Sequence, residues 1–181
     1  TKLIATATTL LLCSYGSAQT SATFTGATDN TWEDTTNWSI GVLPTTSQRL
    51  SFDADVTLQS SGFARALNET SGGQTLTINN GGTLLSQGNA GEGIGDGFAL
   101  TIEDGGTYNR NNLGGNARFT MQDIGTGSTI TVNDGGTFTA NSTARIANGN
   151  LVVNGSNSSM SFANLLTSDL SISGGNTDTF G

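Results

Sequence analysis

Nine residues recur three times and set most of what this chain can become. Leu76-Thr-Ile-Asn-Asn-Gly-Gly-Thr-Leu84, Leu100-Thr-Ile-Glu-Asp-Gly-Gly-Thr-Tyr108 and Ile130-Thr-Val-Asn-Asp-Gly-Gly-Thr-Phe138 share one pattern. Weaker copies begin at Leu151 (Leu-Val-Val-Asn-Gly-Ser) and Leu170 (Leu-Ser-Ile-Ser-Gly-Gly). Apolar residues at alternate positions follow the strand period. The Asn/Asp-Gly-Gly step that follows supplies the positive backbone angles of a tight corner. Each unit is therefore strand, corner, strand. Starts at 76, 100, 130, 151 and 170 are separated by 24, 30, 21 and 19 residues. Repeats of about that length are the signature of a solenoid.

Composition supports order rather than a linker or a fibre. The 181 residues hold 26 Gly but only 1 Pro, and charged residues make up 11%. Glycine without proline suits corners and not collagen. A disordered chain would carry more charge or more proline and no apolar period. The formal net charge is -8. The arginines Arg49, Arg65, Arg110, Arg118 and Arg145 are scattered singly, so no basic face exists for a nucleic acid. The chain has no His, which removes the usual general base, the Ser-His-Asp triad and most zinc sites. Its one cysteine, Cys13, leaves no disulfide framework.

Residues 1–18 have the form of a secretory signal peptide. Lys2 gives a positive start, Leu3 to Cys13 an apolar stretch, and Gly16-Ser-Ala18 a small-residue cleavage site. The stretch is too short to span a bilayer, so no stable membrane span is expected once the leader is removed. Acylation of Cys13 is the alternative, although the preceding Leu12 is bulky for such a signal.

Residues 19–60 differ from the rest. They hold both tryptophans, in Asp29-Asn-Thr-Trp32 and Asn37-Trp38-Ser-Ile-Gly41-Val-Leu-Pro44, followed by a strand with Leu50, Phe52, Ala54, Val56 and Leu58 on one face. A solenoid's first coil exposes an apolar cross-section, so this segment is expected to be a cap with Trp32 and Trp38 as its lid. Residues 61–181 then form the repeats. Phe119 to Thr126 resembles an imperfect extra half-copy, of the kind that loops out on one face. No segment carries a helical apolar period beyond the leader.

The expected fold is all-β: a parallel, right-handed β-helix with an N-terminal cap. Leu76/Ile78, Leu100/Ile102, Ile130/Val132, Leu151/Val153 and Leu170/Ile172 would form interior ladders about 4.8 Å apart. Thr77, Thr101, Thr131, Val152 and Ser171 would point outward. Corner residues Asn80, Asp104 and Asp134 would stack, with amide bonds shared where Asn meets Asn.

These residues also carry a resemblance. Trp32, Asn37-Trp38-Ser-Ile-Gly-Val-Leu-Pro44 and Asp53-Ala-Asp-Val-Thr-Leu58 resemble the opening of bacterial secreted β-helix proteins with autotransporter-associated-type strand repeats. Many of these end in a PEP-CTERM sorting signal. Ile94-Gly-Asp-Gly97 running into Leu100 to Gly106, and Asn148-Gly-Asn-Leu-Val-Val-Asn-Gly155, are similar to that group's repeats. The resemblance covers nearly the whole chain after the leader, though its motifs are compositional. Neither a sorting signal nor a translocating barrel follows, as expected for an N-terminal fragment. The resemblance implies an exported surface or extracellular-matrix role without catalysis.

Three functional readings follow. The first is a non-enzymatic, secreted or cell-surface solenoid of adhesin, stalk or matrix type, with an extracellular polysaccharide or other cell-surface component as partner. It needs no cofactor, metal or catalytic residue. The second is a polysaccharide lyase or hydrolase, which would need two or more of Asp53, Asp55, Asp104, Asp123 and Asp134 at one groove. The third is a carbohydrate-binding module in which Trp32 and Trp38 contact the glycan, which requires exposed, coplanar rings. Gly91-Glu-Gly-Ile-Gly-Asp-Gly-Phe98 resembles one turn of a calcium-binding nonapeptide, but such sites need tandem copies, so a plain turn is expected.

Overall fold

The computed structural model describes residues 20–69, 72–88, 91–95, 97–111, 119–122 and 127–174. The expected leader with Cys13, and Asp123, lie outside them. The chain winds repeatedly round three faces. Strands β1 (Ser21–Phe24) and β2 (Arg49–Phe52) lie on the first face, β3 (Val56–Leu58) on the second and β4 (Ser61–Ala64) on the third. The next circuit is β5 (Ala66–Glu69), β6 (Thr75–Ile78) and β7 (Thr83–Gln87), and the one after it β8 (Glu92–Ile94), β9 (Ala99–Ile102) and β10 (Thr107–Asn111). Then come β11 (Phe119–Gln122), β12 (Ser128–Val132) and the long strands β13 (Thr137–Val153) and β14 (Ser159–Gly174), which bend round several faces. Every pairing between these named strands is parallel, each strand stacking on its counterpart one circuit away, while an isolated antiparallel bridge joins Phe24 to Trp38. The molecule is a parallel β-solenoid of about 5 turns.

The interior ladder follows from the alternation. On the second face Val56, Leu76, Leu100, Ile130 and Leu151 stack in register, as do Leu58, Ile78, Ile102, Val132 and Val153, and all are buried. Each such side chain contributes about 1.5–3 kcal/mol by leaving water. A hydrogen bond on the outer surface is worth about 0.5–1.5 kcal/mol. The ladder therefore holds the coils together. Its last step differs from the expected one: Leu151 pairs with Ile172 and Gly149 with Leu170, so the final copy stacks two residues later. A shift of two preserves the in/out parity of a strand, which is why the pattern alone did not place it.

The corner between the second and third faces explains Asn/Asp-Gly-Gly residue by residue. Asn80, Asp104 and Asp134 take φ of 51°, 51° and 49°, and Gly81, Gly105 and Gly135 follow at 71°, 72° and 80°. Asn and Asp are the residues besides glycine that tolerate the left-handed region. The second glycine has a different task. A Cβ on Gly106 would collide with the Ile78 carbonyl of the coil below, so only glycine lets the coils close. The corners stack as expected, linked by Gly81 N–H to the Asp104 carbonyl and Gly105 N–H to the Asp134 carbonyl. The shared amide bond lies one residue earlier, from Asn154 Nδ2 to Asn133 Oδ1 at 2.9 Å.

Three expectations need correction. The run from Leu50 to Leu58 is two strands with a corner at Asp53–Asp55, because the chain turns from the first face to the second there. The coils also begin before residue 61, since β2, β3 and β4 pair with β5, β6 and β7. Phe119–Gln122 is no loop: it is β11, paired with β8 and β13 on the first face. In addition, Thr35–Asn37 forms one turn of 3-10 helix, capped by Asp34.

The cap lies under the first coil. Trp32 and Trp38 meet edge to face at 4.7 Å and 74°, and Trp38 does the same with Phe24 at 5.2 Å and 77°. Trp38 Nε1–H donates to the Trp32 carbonyl at 2.9 Å, so the one polar group of that indole is satisfied inside. Trp32 lies over Gly62, where a Cβ would come within 3.0 Å of the ring. Asn37 is fully buried and uses its whole amide. Its Oδ1 accepts from Thr28 and Asp29 N–H, while Nδ2 donates to Asp29 Oδ1 and the Thr31 carbonyl.

Candidate functional site

Among the described residues, those singled out by sequence fall in three separate places. Trp32 and Trp38 are 1% and 2% exposed and nearly perpendicular, so neither offers an open face to a sugar. Their role as a glycan contact gives way to that of a lid, for the physical reason that the first coil's apolar end must be covered. Asp53 and Asp55 stand at the corner between the first and second faces, and Asp55 Oδ1 accepts from Thr75 N–H at 2.7 Å. Asp104 and Asp134 belong to another corner, between the second and third faces. The two pairs thus stand on different edges of the prism. Among the described residues, no three of His, Cys, Asp and Glu gather as metal ligands.

A buried polar cluster lies elsewhere, at residues that the sequence did not single out. Glu92, in the glycine-rich segment read as a turn, begins β8 and faces inward in the row that holds Leu50, Leu67 and Ala144. Glu92 Oε1 accepts from the Leu67 N–H at 2.9 Å, Ser86 Oγ at 3.0 Å and Tyr108 Oη at 2.5 Å. Its Oε2 lies 2.8 Å from Arg110 Nε, both side chains being wholly buried. Arg110 Nη1 donates to the Arg65 and Ser86 carbonyls at 3.2 and 3.1 Å, and Nη2 to the Gly88 carbonyl at 3.1 Å. Burial pushes the Glu92 carboxyl above its ordinary value, against Arg110 and the hydrogen bonds from Tyr108, Leu67 and Ser86. Burial and the adjoining carboxylate push the Tyr108 phenol well above its own, which keeps it a donor.

Room for this cluster comes from small neighbours. Arg110 stacks between Ser86 and Ala140, and Ala64 lies one coil further down the same row. The neighbouring row, two residues earlier on each strand, is apolar above Tyr108: Phe138 stacks on it at 5.0 Å and 10°, and Phe162, which follows Ala140 in the Arg110 row, tilts onto Phe138 at 5.3 Å. The cluster has no access for a substrate. Its chemistry is that of an internal tie.

The outward faces are the remaining surface with a repeating character. On the second face Thr57, Thr77, Thr101 and Thr131 stack in register, and Thr31 bridges to Thr57 below them. On the third face Ser61, Thr83, Thr107, Thr137 and Ser159 form a second row. No strand on either face points a charged side chain outward among the described residues, since Arg110 turns inside. The first face is different, with Arg49 and Arg145 on its strands.

No protein-family model matches this chain, and no curated protein or solved structure matches it significantly.

Proposed function

We propose that the protein is a non-enzymatic, exported β-solenoid that acts at the cell surface or in an extracellular matrix, as an adhesin, stalk or matrix component. The observation that carries this reading is the pair of uncharged faces with one hydroxyl row per face, repeated coil after coil at about 4.8 Å. A stiff array of weak, identical contacts suits an extended neutral polymer, and avidity along such an array can exceed a single contact by about 10² to 10⁴-fold. An extracellular polysaccharide is the partner this chemistry would take. Export rests on the leader-like residues 1–18 and on the resemblance to secreted β-helix proteins.

Co-sedimentation with insoluble neutral polysaccharides tests the reading. The intact chain should pellet with one or more of them, and a Thr77→Lys, Thr101→Lys, Thr131→Lys variant should remain in solution. Single Asp→Asn changes at Asp53, Asp55, Asp104 and Asp134 should leave pelleting unaltered. Release of reducing sugar that disappears in one of those Asp→Asn variants would sink the reading in favour of an enzyme.

A further inference from the structure

The repeat that makes this fold legible also makes it ambiguous. Coils 66–87, 92–111 and 119–140 present nearly the same second-face strand and the same corner. Leu76/Ile78, Leu100/Ile102 and Ile130/Val132 offer the same apolar ladder to whatever lies above or below. Their corners exchange the same backbone bonds, for example Glu103 N–H to the Ile78 carbonyl and Asn133 N–H to the Ile102 carbonyl. Nothing in that part of the molecule tells coil 66–87 that its proper neighbour is coil 92–111. Coil 119–140, from the same chain or from a second copy during refolding, would fit the same seat.

We propose that the buried Glu92–Arg110 pair is the key that fixes coil order. Both side chains belong to coil 92–111, and both hydrogen-bond to coil 66–87 and the residues that flank it. Glu92 takes the Leu67 N–H and Ser86 Oγ–H, while Arg110 donates to the carbonyls of Arg65, Ser86 and Gly88. Gly88 approaches Arg65 so closely that a Cβ there would meet its carbonyl oxygen at 2.6 Å, so the carbonyls that receive Arg110 are already drawn together. Coil 119–140 carries Ala140 where Arg110 stands. Seated on coil 66–87, it would leave those carbonyls without the guanidinium. Glu92 would lose the Ser86 hydroxyl on any coil order that seats it against coil 119–140, where Ala140 holds the register position of Ser86.

A buried ion pair adds little net stability over an apolar pair of similar volume, because desolvation offsets its attraction. What it adds is discrimination, since a wrong neighbour strands a charge that an apolar ladder would accept. The pair therefore acts on which coil docks and leaves the strength of docking nearly unchanged. Its position suits this role: it joins the first of the near-identical coils to the second, where the choice arises.

Cysteine pairs on the outer Thr row read coil order directly. Thr101 and Thr131 are register partners, whereas Thr77 and Thr131 are separated by the intervening Thr101. In the full chain with Cys13→Ser, oxidation after refolding should join Thr101→Cys to Thr131→Cys and leave a Thr77→Cys/Thr131→Cys pair unlinked. In the Glu92→Leu/Arg110→Met background the fold should persist. The 77–131 link should then rise severalfold, within one chain or between two. The proposal is overturned if that link stays at its original level in the apolar background. It is equally overturned if the double variant cannot fold, because the pair would then be a source of stability and not of order. Neither result bears on polysaccharide binding, which is read on the outer faces.

Discussion

Two regions of the solenoid handle repetition in opposite ways. At the corner between the second and third faces, the same letters return in three coils with nearly the same dihedral angles. In the interior between the first and third faces, each coil differs from its neighbours: Ala64, Ser86, Arg110, Ala140 and Phe162 occupy one row. The corner solves a backbone problem, and a backbone problem has few solutions, so the sequence repeats. The interior solves a volume problem, and volume can be shared among neighbours. Arg110 is large because Ser86 and Ala140 are small, and Phe162 leans onto Phe138 over the space beside Ala140. Repeated residues thus set the shape of a coil, and unrepeated ones make that coil an individual.

The largest expected effect breaks the interior and leaves every corner intact. Glu92→Leu alone strands a buried guanidinium, and Arg110→Met alone strands a buried carboxylate. Either should cost about 3–5 kcal/mol, because an uncompensated buried charge is far worse than the pair is good. The Glu92→Leu/Arg110→Met double variant should recover most of that loss in urea denaturation. If the single variants prove as mild as the double, Glu92 and Arg110 are not coupled and the interior is no more individual than the corners.

A smaller effect separates the two glycines inside one corner. Gly106→Ala drives a Cβ into the Ile78 carbonyl, and overpacking of that kind costs about 1–3 kcal/mol. Gly105→Ala meets nothing within 4 Å, so it suffers only the left-handed backbone at φ 72°, about 1 kcal/mol. Gly105→Asn should be milder still, since an Asn side chain tolerates positive φ, as Asn80 already does in the equivalent corner one coil below. Thermal melts of the three variants give the order. Equal losses for Gly105→Ala and Gly106→Ala would mean that the coils can part slightly at the corner.

The same division explains what could be read from the sequence. The corner was legible because Asn/Asp-Gly-Gly names its own dihedral angles. The ladder was legible because alternation survives any even shift, and for that same reason the last copy was placed two residues early. Glu92 was hidden by its company. Gly91, Gly93, Gly95 and Gly97 suggest a turn, yet a Cβ on Gly93 would meet nothing within 4 Å, so no tight turn demands that glycine. Parity was the usable signal: Ile94 faces inward, which places Glu92 inward two residues before it, and inward Tyr108 does the same for Arg110. One acid and one base at inward positions of the same coil is the pattern a sequence can show. The Trp pair was legible as a lid, while the buried amide of Asn37 that braces it was not, because its partners are backbone groups of a loop.

The smallest effect concerns another carboxylate that organises polar contacts, Asp29 of the cap. It resembles Glu92 in accepting from a backbone N–H and a side chain, Thr31 and Asn37, both at 2.8 Å. It differs in being exposed. The Thr31 N–H first, and the Asn37 amide second, hold its carboxyl below the ordinary value of 3.8. A folded-state value below the unfolded one means that this carboxylate stabilises the cap above about pH 3.8, and that the contribution is lost as pH falls through the folded value. Solvent screening keeps the contribution slight. The chain's only tryptophans, Trp32 and Trp38, sit in the cap, so their fluorescence follows its unfolding in urea. The midpoint of the intact chain should exceed that of Asp29→Ala slightly near neutral pH, and the gap should narrow in acid. A gap that does not change with pH would show that Asp29 is held by geometry rather than by its charge. The exposed carboxylate would then be the one that resembles the corners, where Asn80 and Asp104 share the same backbone angle regardless of charge.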